Sequence, residues 1–150
     1  MHVAILLAGH TNKTMPRRFR DYHDMFTILF QGLPNGEDFR FTTLAVVDDI
    51  FPNHLDDYDG YLISGSAYGV YDDAPFISQL IDLIQKIHQA KKPLFGVCFG
   101  HQIISKAMGG SVRSSKHREF GLAEVKEIKT SKLTKNFFSK GKNNVWMSHA

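Results

Sequence analysis

The chain has 150 residues, 43% of them hydrophobic and 22% charged, which suits one globular domain able to bury a substantial core. Its net charge of +3 is too small to argue for a nucleic-acid partner, and the basic stretch Lys126–Lys142 also carries an acid, Glu127, as a solvated face does. A single cysteine excludes an internal disulfide and fits a reducing, cytoplasmic setting.

The first element expected is a strand over His2–Ala8. This apolar run is too short to cross a membrane and has no cationic lead-in of a secretion leader, so it reads as a strand covered on both faces. Arg17–Gln31 places Phe19, Tyr22, Met25, Phe26, Leu29 and Phe30 at helical spacing and stops at Gly32-Leu33-Pro34. Phe39–Val47 is a second strand, and Gly60–Ser64 a third that runs into Gly65-Ser66-Ala67-Tyr68-Gly69. Asp73–Gln89 is an amphipathic helix with Ile77, Leu80, Ile81, Ile84 and Ile87 on one stripe. Pro93–Val97 is the next strand, and Phe99–Met108 the next helix, closed by Gly109-Gly110.

Beyond Gly110 the pattern turns strand-rich, with strands expected at Ser111–Arg113, Leu122–Ile128 and Asn144–Ser148, and a short helical piece near Ser131–Phe138. No repeat or linker divides the chain, so residues 1–150 are expected to form one domain. Strands alternating with helices predict an α/β fold with a mostly parallel central sheet. The loops after Ser64 and Val97 leave from the carboxyl edge of that sheet, where open α/β sheets place their sites.

Residues 93–103, PLFGVCFGHQI, carry Cys98 between Gly96 and Gly100 at a strand-to-helix junction. Gly-x-Cys-x-Gly there is the thiol form of a nucleophile elbow, a turn so sharp that it needs small residues two positions either side. At a helix N-terminus the dipole and free N–H groups favour a thiolate, and the N–H of Phe99 would point at an oxyanion beside the sulfur. A small buried structural thiol is the other reading of the same five residues.

Four segments in order carry a family resemblance. GVCFGHQ followed by IISKAMGGSV resembles the nucleophile segment of class I glutamine amidotransferases. LISGSAYGVYDD is similar to that family's oxyanion strand, where many members have Ser-Gly-Gly-Pro. HREFGLAEV and VWMSHA resemble two segments of the amidotransferase domain of GMP synthetases. The resemblance implies a flavodoxin-like three-layer sandwich with a mostly parallel central sheet. It implies Cys98 as nucleophile on the side-chain amide of glutamine, giving a γ-glutamyl thioester and ammonia. The N–H groups of Phe99 and Ser66, with Gly65 beside it, would hold the oxyanion. Gln102 would help hold the substrate, the backbone around Ser148 would receive its amino-acid end, and His149 would line the pocket. No metal or cofactor is implied.

One departure concerns the proton donor, which in this family is a His paired with a Glu two residues on, well after the Trp-Met-Ser-His segment. The spacing occurs here only as His117–Glu119, which by position belongs to the HREFG strand, so the role is not transferred. His101 resembles a structural residue of the family, and His10 could reach the same sheet edge. The expectation is a C-terminally incomplete domain. A second departure is Gly-Ser-Ala in the oxyanion loop, a variant that resembles stand-alone members, including γ-glutamyl peptide hydrolases. Three functions are therefore carried forward. They are glutamine hydrolysis with an ammonia-accepting synthetase on another chain, cleavage or transpeptidation of γ-glutamyl peptides with the same cysteine, and an inactive binding or regulatory domain. For the second, residues 10–20 would shape the pocket. Neither nucleic acid nor membrane is an expected partner.

Overall fold

The opening apolar run forms strand β1 (His2–Leu6) in a computed structural model that describes residues 1–11, 14, 21–115, 119–131 and 142–149. β1 pairs in parallel with β2 (Arg40–Leu44) on one side and β3 (Gly60–Ile63) on the other, and β3 pairs in parallel with β4 (Leu94–Gly96). The order β2-β1-β3-β4 is that of a flavodoxin-like, doubly wound sheet whose direction switches between β1 and β3. Register aligns Leu6 with both Leu44 and Ile63, and Ile63 with Gly96. The carboxyl ends therefore form one even edge.

Alternation along β1 builds a core on each face. Val3, Ile5 and Leu7 face helix α1 (Tyr22–Gln31), packing with Phe26 and Leu62. Ala4, Leu6 and Ala8 join Tyr61 and Ile63 under helices α2 (Pro75–Gln89) and α3 (Phe99–Ala107). Three layers result. α2 begins with Pro75 in its first turn, where a missing N–H leaves nothing unsatisfied. Its buried stripe is Phe76, Ile77, Leu80, Leu83, Ile84 and Ile87, while Ile81, expected on it, is half-buried at its edge.

Several boundaries differ from the sequence expectation. α1 begins at Tyr22, because Asp21 is extended and its carboxylate accepts the Tyr22 N–H, an N-cap that starts the helix there. Arg17–Arg20 of the expected helix lie outside the described residues. β2 ends at Leu44, since Val46–Asp48 turns into a 3-10 helix that buries Val46 and closes on Asp49 at φ 65°. Ser111–Arg113 is not a strand. It has one apolar residue, the half-buried Val112, and no ladder partner. The helical piece expected near Ser131–Phe138 falls almost wholly on residues outside the description.

The chain divides into two compact units, Met1–Val112 and Arg113–Ala150. In the second, β5 (Glu119–Lys126) and β6 (Lys142–His149) form an antiparallel pair with Leu122 opposite Trp146 and Phe120 opposite Ser148. These strands are longer than the alternating segments suggested at sequence level. No helix among the described residues is long and apolar enough to cross a membrane.

Candidate active site

Cys98 stands between β4 and α3 at φ 53° and ψ −109°, a backbone conformation that non-glycine residues seldom adopt and that costs about 1–3 kcal/mol. Packing on both sides enforces it. A methyl on Gly96 would come within 2.3 Å of the Gly100 carbonyl carbon, and one on Gly100 within 2.4 Å of the Ile63 oxygen. Both glycines are required because the chain folds back onto itself and onto β3. Val97 packs on the α1 side of the sheet, and Phe99 is buried on the other beside Phe76. With its neighbours anchored in opposite layers, Cys98 is left exposed above the sheet edge. The buried-thiol alternative is excluded.

Phe99 is the first residue of α3, so its N–H has no acceptor within the helix. The Gln102 N–H, by contrast, closes the first turn onto the Cys98 carbonyl at 3.1 Å. Gln102 is half-buried one turn from the thiol. His101 lies exposed on the same turn.

Opposite the elbow runs the loop after β3. A methyl on Gly65 would sit 3.8 Å from the Cys98 Cβ and 3.3 Å from the Tyr22 hydroxyl, so this glycine keeps open the space beside the thiol. The loop is fastened to the end of β1 through both backbone groups of Ala8. The Ala8 N–H donates to Ser64 Oγ at 3.0 Å, and Ser66 Oγ donates to the Ala8 carbonyl at 2.7 Å. Ser64 Oγ in turn donates to the Gly65 carbonyl, and the Tyr68 N–H donates to Ser66 Oγ. Gly9 is needed for this closeness, since a methyl there would meet Ser66 Oγ at 3.1 Å.

Tyr22 and Gly9 belong to this neighbourhood and escaped the sequence reading. Tyr22 was counted only as part of an apolar helix face; its phenol packs against Phe26 and the α1-side core. Burial, then the charge of Cys98, then that of Asp21 raise its pKa above the ordinary tyrosine value. His10 is also at this sheet edge, with its Nε2 2.8 Å from the Asp48 carboxylate. Ser148 and His149 lie on β6 in the second unit. His117, like most of residues 12–20, is outside the described residues.

Gamma-glutamyl peptidase 3 of Arabidopsis thaliana is 33% identical over 138 residues, 90% of this chain and 54% of that protein. Gamma-glutamyl peptidase 4 of the same plant is 32% identical over 137 residues, covering 89% and 53%. A glutamine-hydrolyzing GMP synthase of Latilactobacillus sakei is 34% identical over 139 residues, 92% of this chain and 23% of that enzyme. The chain thus spans about half the length of the first two relatives. In fold it matches a glutamine amidotransferase of Thermotoga maritima, at TM-score 0.76 and 23% identity over 99% of this chain and 61% of that one. The family model described as Glutamine amidotransferase class-I matches residues 37–150, so the chain belongs to the class I glutamine amidotransferase family.

Proposed function

We propose that Cys98 cleaves γ-glutamyl amide bonds by way of a thioester. The observation that carries this reading is the exposed thiol held at φ 53° on a glycine-flanked elbow, with Gly65 beside it. The sulfur attacks the γ-carbonyl carbon as a thiolate, and the carbonyl π electrons move onto oxygen. The N–H groups of Phe99 and Ser66 stabilise that oxyanion, an electrostatic contribution worth roughly 10²–10³-fold per donor. The C–N bond then breaks, and the nitrogen leaves with a proton that originates on the thiol. Water later cleaves the C–S bond, giving glutamate and the free thiol. Gln102, one turn away, is assigned to holding the substrate. No described residue is assigned as proton carrier.

With glutamine as substrate the leaving group is ammonia, for use by a synthetase on another chain. A second reading, γ-glutamyl peptides, is supported by the similarity to gamma-glutamyl peptidases and by the Gly-Ser-Ala loop. Treating the protein with a glutamine-analogue electrophile and measuring intact mass tests the shared chemistry. One adduct is expected on the native protein and none on Cys98→Ala; an adduct that survives the substitution, or none at all, refutes the proposal. Ammonia release from glutamine set against cleavage of γ-glutamyl dipeptides separates the two substrates.

A further inference from the structure

We infer that the Tyr22 hydroxyl is a third hydrogen-bond donor to the oxyanion that forms on Cys98; the inference rests on the thioester chemistry proposed above. The geometry points there from three sides. First, the Tyr22 hydroxyl and the Cys98 Cβ both lie within 4 Å of one point, the position a methyl on Gly65 would occupy. The hydroxyl and the thiol-bearing carbon therefore border the same side of Gly65, the edge on which an acyl group carried by Cys98 would lie. Second, the phenol is held rather than loose. It projects from the first residue of α1, its backbone N–H is capped by Asp21, and its ring stacks with Phe26 at 6.4 Å and packs on the α1-side core. Third, the loop carrying Gly65 is itself fixed, with Ser64 and Ser66 bonded to both backbone groups of Ala8, so the phenol and the thiol keep their places on either side of it.

The electrostatics fit a donor and not a base. Burial and the charges of Cys98 and Asp21 all favour the protonated phenol. It therefore keeps its proton in the neutral range and offers it to a developing negative oxygen. No bond to that proton breaks in the cycle: the phenol donates a hydrogen bond as the oxyanion forms and relaxes as the C=O is restored.

The discriminating substrate is γ-glutamyl-p-nitroanilide, whose leaving amine is far less basic than ammonia and so departs with little help from a proton donor. Acylation is followed as p-nitroaniline release in a single turnover and as γ-glutamyl adduct by intact mass. Alkylation of the thiol by iodoacetamide, which passes through no oxyanion, is the control. Tyr22→Phe keeps the ring and its contact with Phe26, and is expected to slow acylation by roughly 10- to 100-fold while leaving the iodoacetamide rate and the unfolding midpoint unchanged. Equal acylation by the two proteins overturns the inference alone. A parallel fall of both rates also overturns it, by placing the effect on the thiol or on the fold. If the native protein takes iodoacetamide but is never acylated, the thioester reading itself fails, and the role of Tyr22 with it. Gly65→Ala provides an independent check, because its methyl fills the shared space and should slow acylation with the phenol still present.

Discussion

Strand β1 and the β5–β6 pair meet opposite surroundings. In β1 every residue from Ala4 to Leu6 is fully buried, with alternate side chains in two separate cores. In the β5–β6 pair, Phe120 is 90% exposed and Trp146 80% exposed. A sheet packed on both faces has no freedom to slip by one residue, since a slip would exchange its two cores. It can therefore hold an unfavourable φ at Cys98 and small gaps beside Gly65. A two-stranded ribbon supplies no core of its own and is marginal as an isolated structure. Cys98 and the Gly65-Ser66 loop stand at the edge of the first kind of element, while Ser148 and His149 stand on the second.

The contrast can be broken most forcefully at its glycines. Gly100→Ala drives a methyl into the β3 backbone and is expected to destabilise the first unit by more than about 3 kcal/mol in urea unfolding, or to prevent folding. In β5, Gly121 at φ 116° has nothing within 4 Å, so its replacement by Ala meets only backbone strain, roughly 1–2 kcal/mol. Next in size, Ile103→Ala empties a fully buried site under α3 and should cost about 2–5 kcal/mol, whereas Trp146→Ala should change the same unfolding transition by less than about 0.5 kcal/mol. Similar losses at Ile103 and Trp146 would show that the two regions are not energetically distinct.

A smaller effect is expected at Ser66. Ser66→Ala leaves the Ala8 carbonyl and the Tyr68 N–H without their partner and should lower stability by roughly 1–2 kcal/mol. Acylation of Cys98 should slow more than iodoacetamide labelling, because the loop that presents the Ser66 N–H loosens. A separate expectation is a pH slope. Tyr61, whose hydroxyl donates to the Leu55 carbonyl at 2.8 Å, has its pKa pushed up to about 12 by burial, then by Tyr58, Asp57 and Asp56. The folded protein holds this proton more tightly than the unfolded chain. Its contribution to stability is therefore complete below pH 10 and is lost as pH rises from 10 to about 12. Denaturant titrations across that window should show the decline, flattened in Tyr61→Phe.

Much of the first unit was legible in sequence because its strands are short apolar runs and its helices carry period-3.6 stripes, signals set by burial on two faces. α2 was read to within two residues, since Pro75 and the Ile/Leu stripe mark it locally. The elbow was legible too, because the turn admits only glycine at residues 96 and 100. The start of α1 was misplaced for a physical reason: the periodic apolar residues continue upstream, while the boundary is set by one capping bond from Asp21. A strand expected over Ser111–Arg113 did not form, since three residues with one apolar side chain cannot hold a ladder position without a neighbour.

The sequence by itself determined the turn at residue 98 and the parallel α/β scaffold, because glycine spacing and hydrophobic period are local consequences of steric limits and burial. The tertiary structure alone decided what else lies near the thiol. The Gly65-Ser66 loop was expected there from the sequence; Tyr22 was not, and its place beside that loop depends on the β2-β1-β3-β4 order and on α1 packing against the sheet. A phenol on a helix face thereby comes to lie near the Cys98 thiol. No local pattern encodes that, since the distance between two side chains across a sheet is set by strand order and register.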